Sequence, residues 1–567
     1  MRITINGHPL DAAPGSTVAA AVAACGQPTR TSVTGEPRGP LCGMGICFEC
    51  RVTINGRPHQ RSCQIAVAEG MDIAAALPAS PAPSPTTARS RDCSILIVGA
   101  GPAGLAAARA AAASGAAVTL VDDNLAPGGQ IWRGTNPPVA PGVEWLSQTR
   151  IVDAPAPGML RATTPEGGCD LRYDKLILAT GARERFLPFP GWTLPHVMGA
   201  GGLQAMAKGG LPIAGKRIVV AGTGPLLIAV AAWLRQHGAV IVALCDQTPW
   251  SAQARFLTAL PWAKVGQGFT LARALRGVPL WMGAWPVSTA PGEVTLRRGP
   301  RRTTTVACDY LACGFHLVPN IELAQLLGCA TQNGFVLVND RQQTTIPNVY
   351  CAGEPTGIGG VELAETEGAL AGLAAAARPA TPALLSRRDA YRRFAHRLDA
   401  LCALRPELLT LPQPDTLVCR CEDVTHARLA SQPDWRSAKL HTRCGMGPCQ
   451  ARVCSAACGR TDATFASRRE AYRGFARRLD TLCALRPELR SLARPDTLVC
   501  RCEDVTHARL APHRNWRDAK LHTRCGMGPC QGRICSDACE ALFAWPPPPP
   551  RPPLSPVALK MLGTAGD

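Results

Sequence analysis

Ser94-Ile-Leu-Ile-Val98-Gly99-Ala-Gly101-Pro-Ala-Gly104 decides the fold of the long middle of this chain. The apolar run reads as a buried strand, the glycines as a tight turn, and the Ala-rich sequence beyond Gly104 as a helix. A second strand, Ala117-Val-Thr-Leu-Val121, then ends at Asp122. Strand, glycine turn, helix, strand and acid are the dinucleotide-binding fingerprint in its confirming context. Gly99, Gly101 and Gly104 let a pyrophosphate approach the backbone, the helix N-terminus stabilises its charge, and Asp122 accepts from the adenosine ribose.

Outward from this stretch, residues 93–378 alternate buried strands with Ala-rich helices, the pattern of a parallel-sheet α/β domain. A second unit of the same kind starts at Arg217-Ile-Val-Val-Ala-Gly222-Thr-Gly224-Pro-Leu-Leu227 and reaches Asp246. Leu227 stands where the third glycine belongs, which hinders close packing of helix on strand. Gly222 and Gly224 therefore mark either an NAD(P) site, a site for another nucleotide, or a scaffold without one. Two segments point to FAD in the first unit. Tyr173-Asp-Lys-Leu-Ile-Leu-Ala-Thr180-Gly181 resembles the strand and Ala-Thr-Gly turn of two-dinucleotide flavoproteins, and Thr345-Ile-Pro-Asn-Val-Tyr-Cys-Ala352-Gly353-Glu354 resembles their closing FAD motif. That resemblance assigns the flavin's ribityl chain to Glu354, where an Asp is usual, and places Gly128-Gly129-Gln130 near the isoalloxazine ring. No C-x2-C occurs in this region, which argues against a dithiol mechanism.

Most of the 26 cysteines fall in three tight groups, one before and two after this cysteine-poor domain. Cys42-Gly-Met-Gly-Ile-Cys47-Phe-Glu-Cys50, with Cys63 beyond twelve intervening residues, has the plant-type spacing for a [2Fe–2S] cluster. Gly43 and Gly45 permit the turns that wrap three thiolates round two irons, and backbone N–H groups can then point at sulfur. Structural zinc more often uses paired C-x2-C knuckles. Asn6-Gly7 and Asn55-Gly56 each sit between alternating runs and read as hairpin turns, and Ser16-Thr17 caps an Ala/Val helix. Residues 1–77 are expected to form a small β-grasp domain, with 78–92 a linker of Ala, Pro, Ser and Thr.

Beyond the middle domain the chain repeats itself. Ser386–Cys458 recurs as Ser467–Cys539, 81 residues later, with few differences. Copy one holds Cys419, Cys421, Cys444, Cys449, Cys454 and Cys458, and copy two Cys500, Cys502, Cys525, Cys530, Cys535 and Cys539. A two-iron cluster needs four ligands, so each copy has a surplus, and zinc stays an alternative. Thr-Arg-Cys-Gly-Met-Gly-Pro-Cys-Gln resembles the small helical ferredoxin domain related to bacterioferritin-associated ferredoxin (BFD-like). The resemblance implies Cys419, Cys421, Cys449 and Cys454 as ligands in one copy, and Cys500, Cys502, Cys530 and Cys535 in the other. Cys444 and Cys525 are then spares or competitors.

The net charge of +19 lies on scattered arginines with no aromatic-rich binding module, which sets nucleic acid aside. A basic surface can steer an acidic partner. Neither a signal peptide nor an apolar run long enough for a membrane span is read, so the expected location is cytoplasmic, or peripheral at the inner membrane through a complex. Clustered cysteines in a reducing compartment read as metal ligands. No acid–base pair or nucleophile arrangement is recognised in the cluster modules, and no catalytic residue is assigned.

Together the parts resemble a known combination. Residues 1–77 are similar to the ferredoxin subunit of bacterial hydrogen cyanide synthase and hydroxyproline dehydrogenase. The middle domain and one repeat are similar to the α subunit of those systems, also known as the opine oxidase A-subunit. Leu187-Pro-Phe-Pro-Gly-Trp192, Val197-Met-Gly-Ala-Gly-Gly202 and Gly353-Glu-Pro-Thr-Gly-Ile-Gly-Gly360 carry the likeness. It implies a hetero-oligomer in which a D-amino-acid-oxidase-like flavoprotein subunit oxidises a C–N bond. The electrons then pass through FAD and [2Fe–2S] clusters to a quinone or other acceptor. Here the two subunits are fused, the second cluster module is doubled, and the segment between Gln130 and Val143 is short. The expected architecture is multidomain α/β: the β-grasp ferredoxin, a two-dinucleotide-binding Rossmann-like flavoprotein domain (93–378), BFD-like modules at 383–460 and 464–545, and a Pro-rich tail (546–567). A self-contained NAD(P)H reductase and a redox-sensing or iron-handling protein are the competing readings.

Overall fold

A computed structural model describes residues 1–75, 89–257, 262–299, 302–433, 435–455, 491–501, 503–525 and 535–545. The described residues fall into two compact units, one running to residue 455 and the other from residue 491. Cys458, Cys502, Cys530, residues 78–88 of the expected linker and the Pro-rich tail lie outside the described residues.

The chain opens with a five-stranded sheet in the order His8–Asp11, Arg2–Ile5, Asp72–Ala74, Arg51–Ile54, Arg57–Arg61. Both predicted hairpin turns are present. Asn6 and Gly7 have φ of 50° and 81°, and Asn55 and Gly56 49° and 74°, the left-handed pair that a two-residue turn between twisted strands requires. Helix Val18–Ala24, capped by the Thr17 hydroxyl, buries Val18 and Val22 on the sheet against Ile3, Ile5, Val52, Ile54 and Ile73.

The first dinucleotide fold is built on parallel strands Val143–Leu146, Val118–Val121, Arg89–Val98, Gly167–Leu178 and Val349–Cys351. The long strand Gly167–Leu178 continues into an antiparallel extension with Met159–Thr164 and Arg150–Ala156. The expected linker ends earlier than the sequence suggests. Arg89 to Asp92 are strand, paired with Cys169 to Arg172, because partners some 80 residues away supply a ladder that four polar residues do not announce. Helices Pro102–Ala112 and Val361–Ala375 cover one face. They approach so closely that a Cβ on Gly368 would stand 2.1 Å from the Ala103 carbonyl oxygen, and one on Gly372 2.3 Å from that of Ala107.

The second dinucleotide fold is a parallel sheet in the order Val197–Gly199, Tyr310–Phe315, Arg217–Thr223, Val240–Asp246, Leu280–Met282. Helix Ala200–Lys208 follows its edge strand and lies under the N-terminal cysteine loop. Gly43 is seated so that a Cβ there would be 2.8 Å from Ala205 Cβ. Helix Pro382–Leu401, capped by Thr381, then leads to the first cysteine module: hairpin Leu417–Cys419 and Val424–Thr425, then helices His426–Ala430 and Trp435–Thr442. The second unit repeats this hairpin as Leu498–Cys500 and Val505–Thr506, followed by helices His507–Leu510, Trp516–Thr523 and Cys535–Phe543. Among the described residues no helix is long and apolar enough to cross a membrane.

The helix crossing at Gly368 and Gly372 is a direct test of the first fold. Gly372→Leu is expected to cost about 1–3 kcal/mol through overpacking. A fall in the thermal midpoint, with faster loss of bound flavin on dilution, is the measurement that checks it.

Candidate functional site

In the N-terminal loop the four cysteines are buried and stand as two pairs. Cys42 Sγ lies 3.3 Å from Cys47 Sγ, and Cys50 Sγ 3.3 Å from Cys63 Sγ. The Met44 and Cys47 N–H groups donate to Cys42 Sγ and the Glu49 N–H to Cys47 Sγ, each at 3.4 Å. Gly43 and Gly45 have φ of 62° and 75°. Paired thiols, each pair able to hold one iron, with N–H donors already aimed at sulfur, fit a [2Fe–2S] cluster held by Cys42, Cys47, Cys50 and Cys63.

Copy one brings five buried cysteines together rather than four. Cys419, Cys444 and Cys454 place their sulfurs within 4.8 Å of one another, and Cys421 hydrogen-bonds with Cys449. Cys444, which spacing left as a spare or a competitor, thus stands with its sulfur among those of the expected ligands. Helix Trp435–Thr442 ends at Arg443, whose φ of 64° turns Cys444 inward to 3.9 Å from Cys454. In copy two Cys500, Cys525 and Cys535 form the matching set, and Cys539 hydrogen-bonds with Cys525. Thiolates in this number fit a cluster of the same kind, with one ligand position open to choice.

The two cysteine sets of the first unit share a wall of buried charge. Glu49 lies between Cys47 and Cys50 in sequence, and Arg420 between Cys419 and Cys421. The Arg420 side chain is 1% exposed, with Nε 3.6 Å from Glu49 Oε1. Its Nη1 donates to the Trp192 carbonyl (3.1 Å), and the guanidinium sits 5.3 Å from the Trp192 ring centre. Arg30 pairs with Glu49 at 3.1 Å and donates to the Arg420 carbonyl at 3.2 Å. Beside them Arg38 donates to Asp423 at 2.7 Å, and Asp423 also accepts from the Thr34 N–H at 3.1 Å. Burial pulls the Arg420 pKa down, while Glu49 and the Cys47 sulfur hold it up. Arg420 Nε and Nη2 have no hydrogen-bond partner among the described residues, so the ion pair with Glu49 and the Trp192 ring carry that side of the guanidinium.

The same unit reaches the first dinucleotide fold at two points. Arg61 pairs with Asp123 at 2.7 Å and Gln64 donates to Asn124 at 3.1 Å, directly after Asp122. Arg183 pairs with Glu322 and donates to Asn320 Oδ1 at 2.8 Å. Asn320 in turn holds the Thr180 and Gly181 turn. Arg183 Nε also donates to the Arg452 carbonyl at 3.0 Å, inside the Cys449–Cys454 loop. No local sequence pattern marks any of these arginines.

The FAD residues expected from sequence converge. Gly104 packs on Gly99, where an added Cβ would stand 1.7 Å from the Gly99 oxygen, whereas nothing lies within 4 Å of a Cβ on Gly101. That open face is the room a pyrophosphate needs. Asp122 accepts from the Ala100 N–H at 2.6 Å, and burial with neighbouring Asp123 raises its pKa. Gly128 N–H donates to the Ala100 oxygen and Gly129 rests on Gly101, so the Gly128–Gln130 turn borders the same space. Glu354 is already bonded to its own loop. Its carboxyl accepts from Gly359 and Gly360 N–H at 3.2 and 3.1 Å, and burial pushes its pKa up to about 7.

The second glycine turn is covered by the chain itself. Cys402 Sγ lies 2.7 Å from where a Cβ on Gly224 would be. Gln247 holds this covering segment, donating to the Ala403 oxygen (2.9 Å) and accepting from the Arg405 N–H (3.0 Å). Asp246 accepts from the Gly224 and Thr248 N–H groups, and Leu227 is buried where a glycine would leave space.

Glu184 fixes the helix on which the N-terminal cysteine loop rests, accepting from Gly201 and Gly202 N–H at 2.9 and 3.0 Å. Burial pushes its pKa up to about 7 from an ordinary 4.5. Between those pH values the folded protein keeps the proton and the unfolded chain loses it. The stabilisation is thus full below about pH 4.5 and is lost as pH rises to about 7, a swing on the order of 3 kcal/mol. Denaturant unfolding at pH 5 to 8 checks this, with Glu184→Gln expected to flatten the profile. Separately, Arg420→Met strips Glu49 of one of its two cations and is expected to cost about 3 kcal/mol. Denaturant unfolding and limited proteolysis of the first unit measure that loss.

The family described as "Pyridine nucleotide-disulphide oxidoreductase" matches residues 93–369, and that described as "2Fe-2S iron-sulfur cluster binding domain" matches residues 1–76. The opine oxidase A-subunit of Agrobacterium tumefaciens is 31% identical over 64% of this chain and 84% of its own length. Hydrogen cyanide synthase subunit HcnB of Pseudomonas aeruginosa is 31% identical over 64% of this chain and 91% of its own. Subunit HcnA of the same synthase is 42% identical over 74 residues, 13% of this chain and 71% of HcnA. The chain belongs to the family of the opine oxidase A-subunit and hydrogen cyanide synthase subunit HcnB, flavin-dependent oxidoreductases, and carries a [2Fe–2S] domain fused ahead of it.

Proposed function

We propose that the chain is the electron-transfer subunit of a heteromeric flavin-dependent dehydrogenase acting on amino acids or amines, of the D-hydroxyproline, opine or glycine type. Oxidation of the C–N single bond to C=N, which releases two electrons and two protons, takes place in a D-amino-acid-oxidase-like partner subunit. The electrons leave through this chain to a quinone or another carrier. Bound FAD accepts electrons as a pair, and thiolate-held iron pairs accept them singly.

The chain's own residues do the positioning. Gly99, Gly101, Gly104 and Asp122 frame the FAD phosphates and ribose, with Gly129, Gln130, Thr180, Gly181, Gly353 and Glu354 bordering the rest of the cofactor. Arg183 ties the Thr180–Gly181 turn to the Cys449–Cys454 loop. The single observation that supports the reading is the buried Glu49–Arg420 ion pair, which joins the loop of one cysteine set to the loop of the other. The covering of Gly224 by Cys402 argues against an NAD(P)H-fed reductase.

The test is anaerobic copurification with candidate oxidase-like partners, followed by metal, sulfide and flavin analysis. About six irons and one FAD per chain are expected, for three [2Fe–2S] clusters. Addition of a substrate amino acid should reduce both chromophores only when the partner is present. Flavin bleaching by NADH without a partner, or a colourless zinc-loaded chain, would sink the proposal.

A further inference from the structure

The second cysteine module carries the docking loop of the first, with its charged face exposed. Residues 495–511 repeat 414–430 without a change, although the two copies differ at sixteen positions elsewhere between Ser386 and Cys458, five of them in 431–437. The loop also repeats in three dimensions. Strand pairs Leu417↔Thr425 and Cys419↔Val424 recur as Leu498↔Thr506 and Cys500↔Val505. Asp423 and Asp504 both have φ of 47°. The Arg443–Glu422 ion pair at 2.7 Å recurs as Arg524–Glu503 at 2.8 Å.

In copy one this loop receives the β-grasp domain: Arg420 faces Glu49, and Asp423 takes Arg38 and Thr34. Both residues are buried by that contact. In copy two Arg501 and Asp504 are exposed and, among the described residues, make no ion pair. Leu498, the counterpart of half-buried Leu417, is 50% exposed. The chain's own β-grasp domain has one complementary face, and its Arg30, Arg38 and Glu49 are committed to copy one.

We infer that the second module is a docking port for a separate β-grasp [2Fe–2S] ferredoxin. That ferredoxin carries a carboxylate between its second and third cysteines to meet Arg501, and a basic residue ahead of its first cysteine to meet Asp504. The inference rests on the thiolate sets being iron–sulfur sites and names the class of external carrier. Each docking event passes one electron from the module's iron pair, which is oxidised, to the ferredoxin's, which is reduced.

Residues 1–75 serve as the probe. They have their own core around Ile3, Val18, Val52 and Ile73, and HcnA, their match, is a separate chain. The iron-loaded fragment is titrated anaerobically into the full-length protein by calorimetry. One fragment should bind per chain, at least tenfold more weakly to Arg501→Glu/Asp504→Lys and unchanged to the charge control Arg517→Glu. Iron content and visible spectrum should match the parent in both variants. No binding, or binding indifferent to the double variant because the fragment exchanges at copy one, overturns the inference. So does self-association through copy two, seen by sedimentation. A zinc-loaded chain that still binds the fragment at copy two would instead defeat the electron-transfer reading and leave the docking face standing.

Discussion

Charge taken out of water must meet opposite charge, and in this chain one such meeting holds the first unit together. Glu49 and Arg420 come from opposite ends of the unit, each flanked by cysteines, and each would be costly to bury alone. Arg30 and Trp192 complete the arrangement, with Arg38 and Asp423 alongside. Because these groups are shielded from solvent, the β-grasp domain, the second dinucleotide fold and the first repeat are held to one mutual geometry. The distance between the two thiolate sets is therefore a property of the folded chain, not of a passing encounter.

The two dinucleotide folds show how small differences decide what a common frame can hold. Both run strand, glycine turn, helix, strand and acid. In the first, Gly104 lets the helix close on the strand and Gly101 opens to free space. In the second, Leu227 fills the helix interface, and Cys402 to Arg405 lie over the turn. Asp246, the counterpart of Asp122, binds the backbone of its own loop.

What could be read from sequence was whatever local chemistry enforces. Asn-Gly pairs dictate hairpins, the spacing of Cys42 to Cys63 dictates a wrapped loop, and the glycine turn after Val98 dictates a nucleotide fold. The decisive arginines were illegible. Arg38 and Asp423 are 385 residues apart, and one arginine in a chain rich in them carries no periodic signal. Arg183 and Arg61 escaped for the same reason, and strand residues 89–92 passed for linker because their order comes from a distant partner. Cys444 looked surplus because ligand spacing alone does not reveal the left-handed turn at Arg443.

The segment over Gly224 has a consequence for competition. Covalent attachment presents Cys402–Arg405 to the glycine turn at an effective concentration on the order of millimolar or above, a value set by its tether and independent of dilution. A free nucleotide with ordinary micromolar affinity for an open turn must first displace that resident peptide and break both Gln247 hydrogen bonds. The same two bonds fix the start of the segment that leads into the first cysteine module.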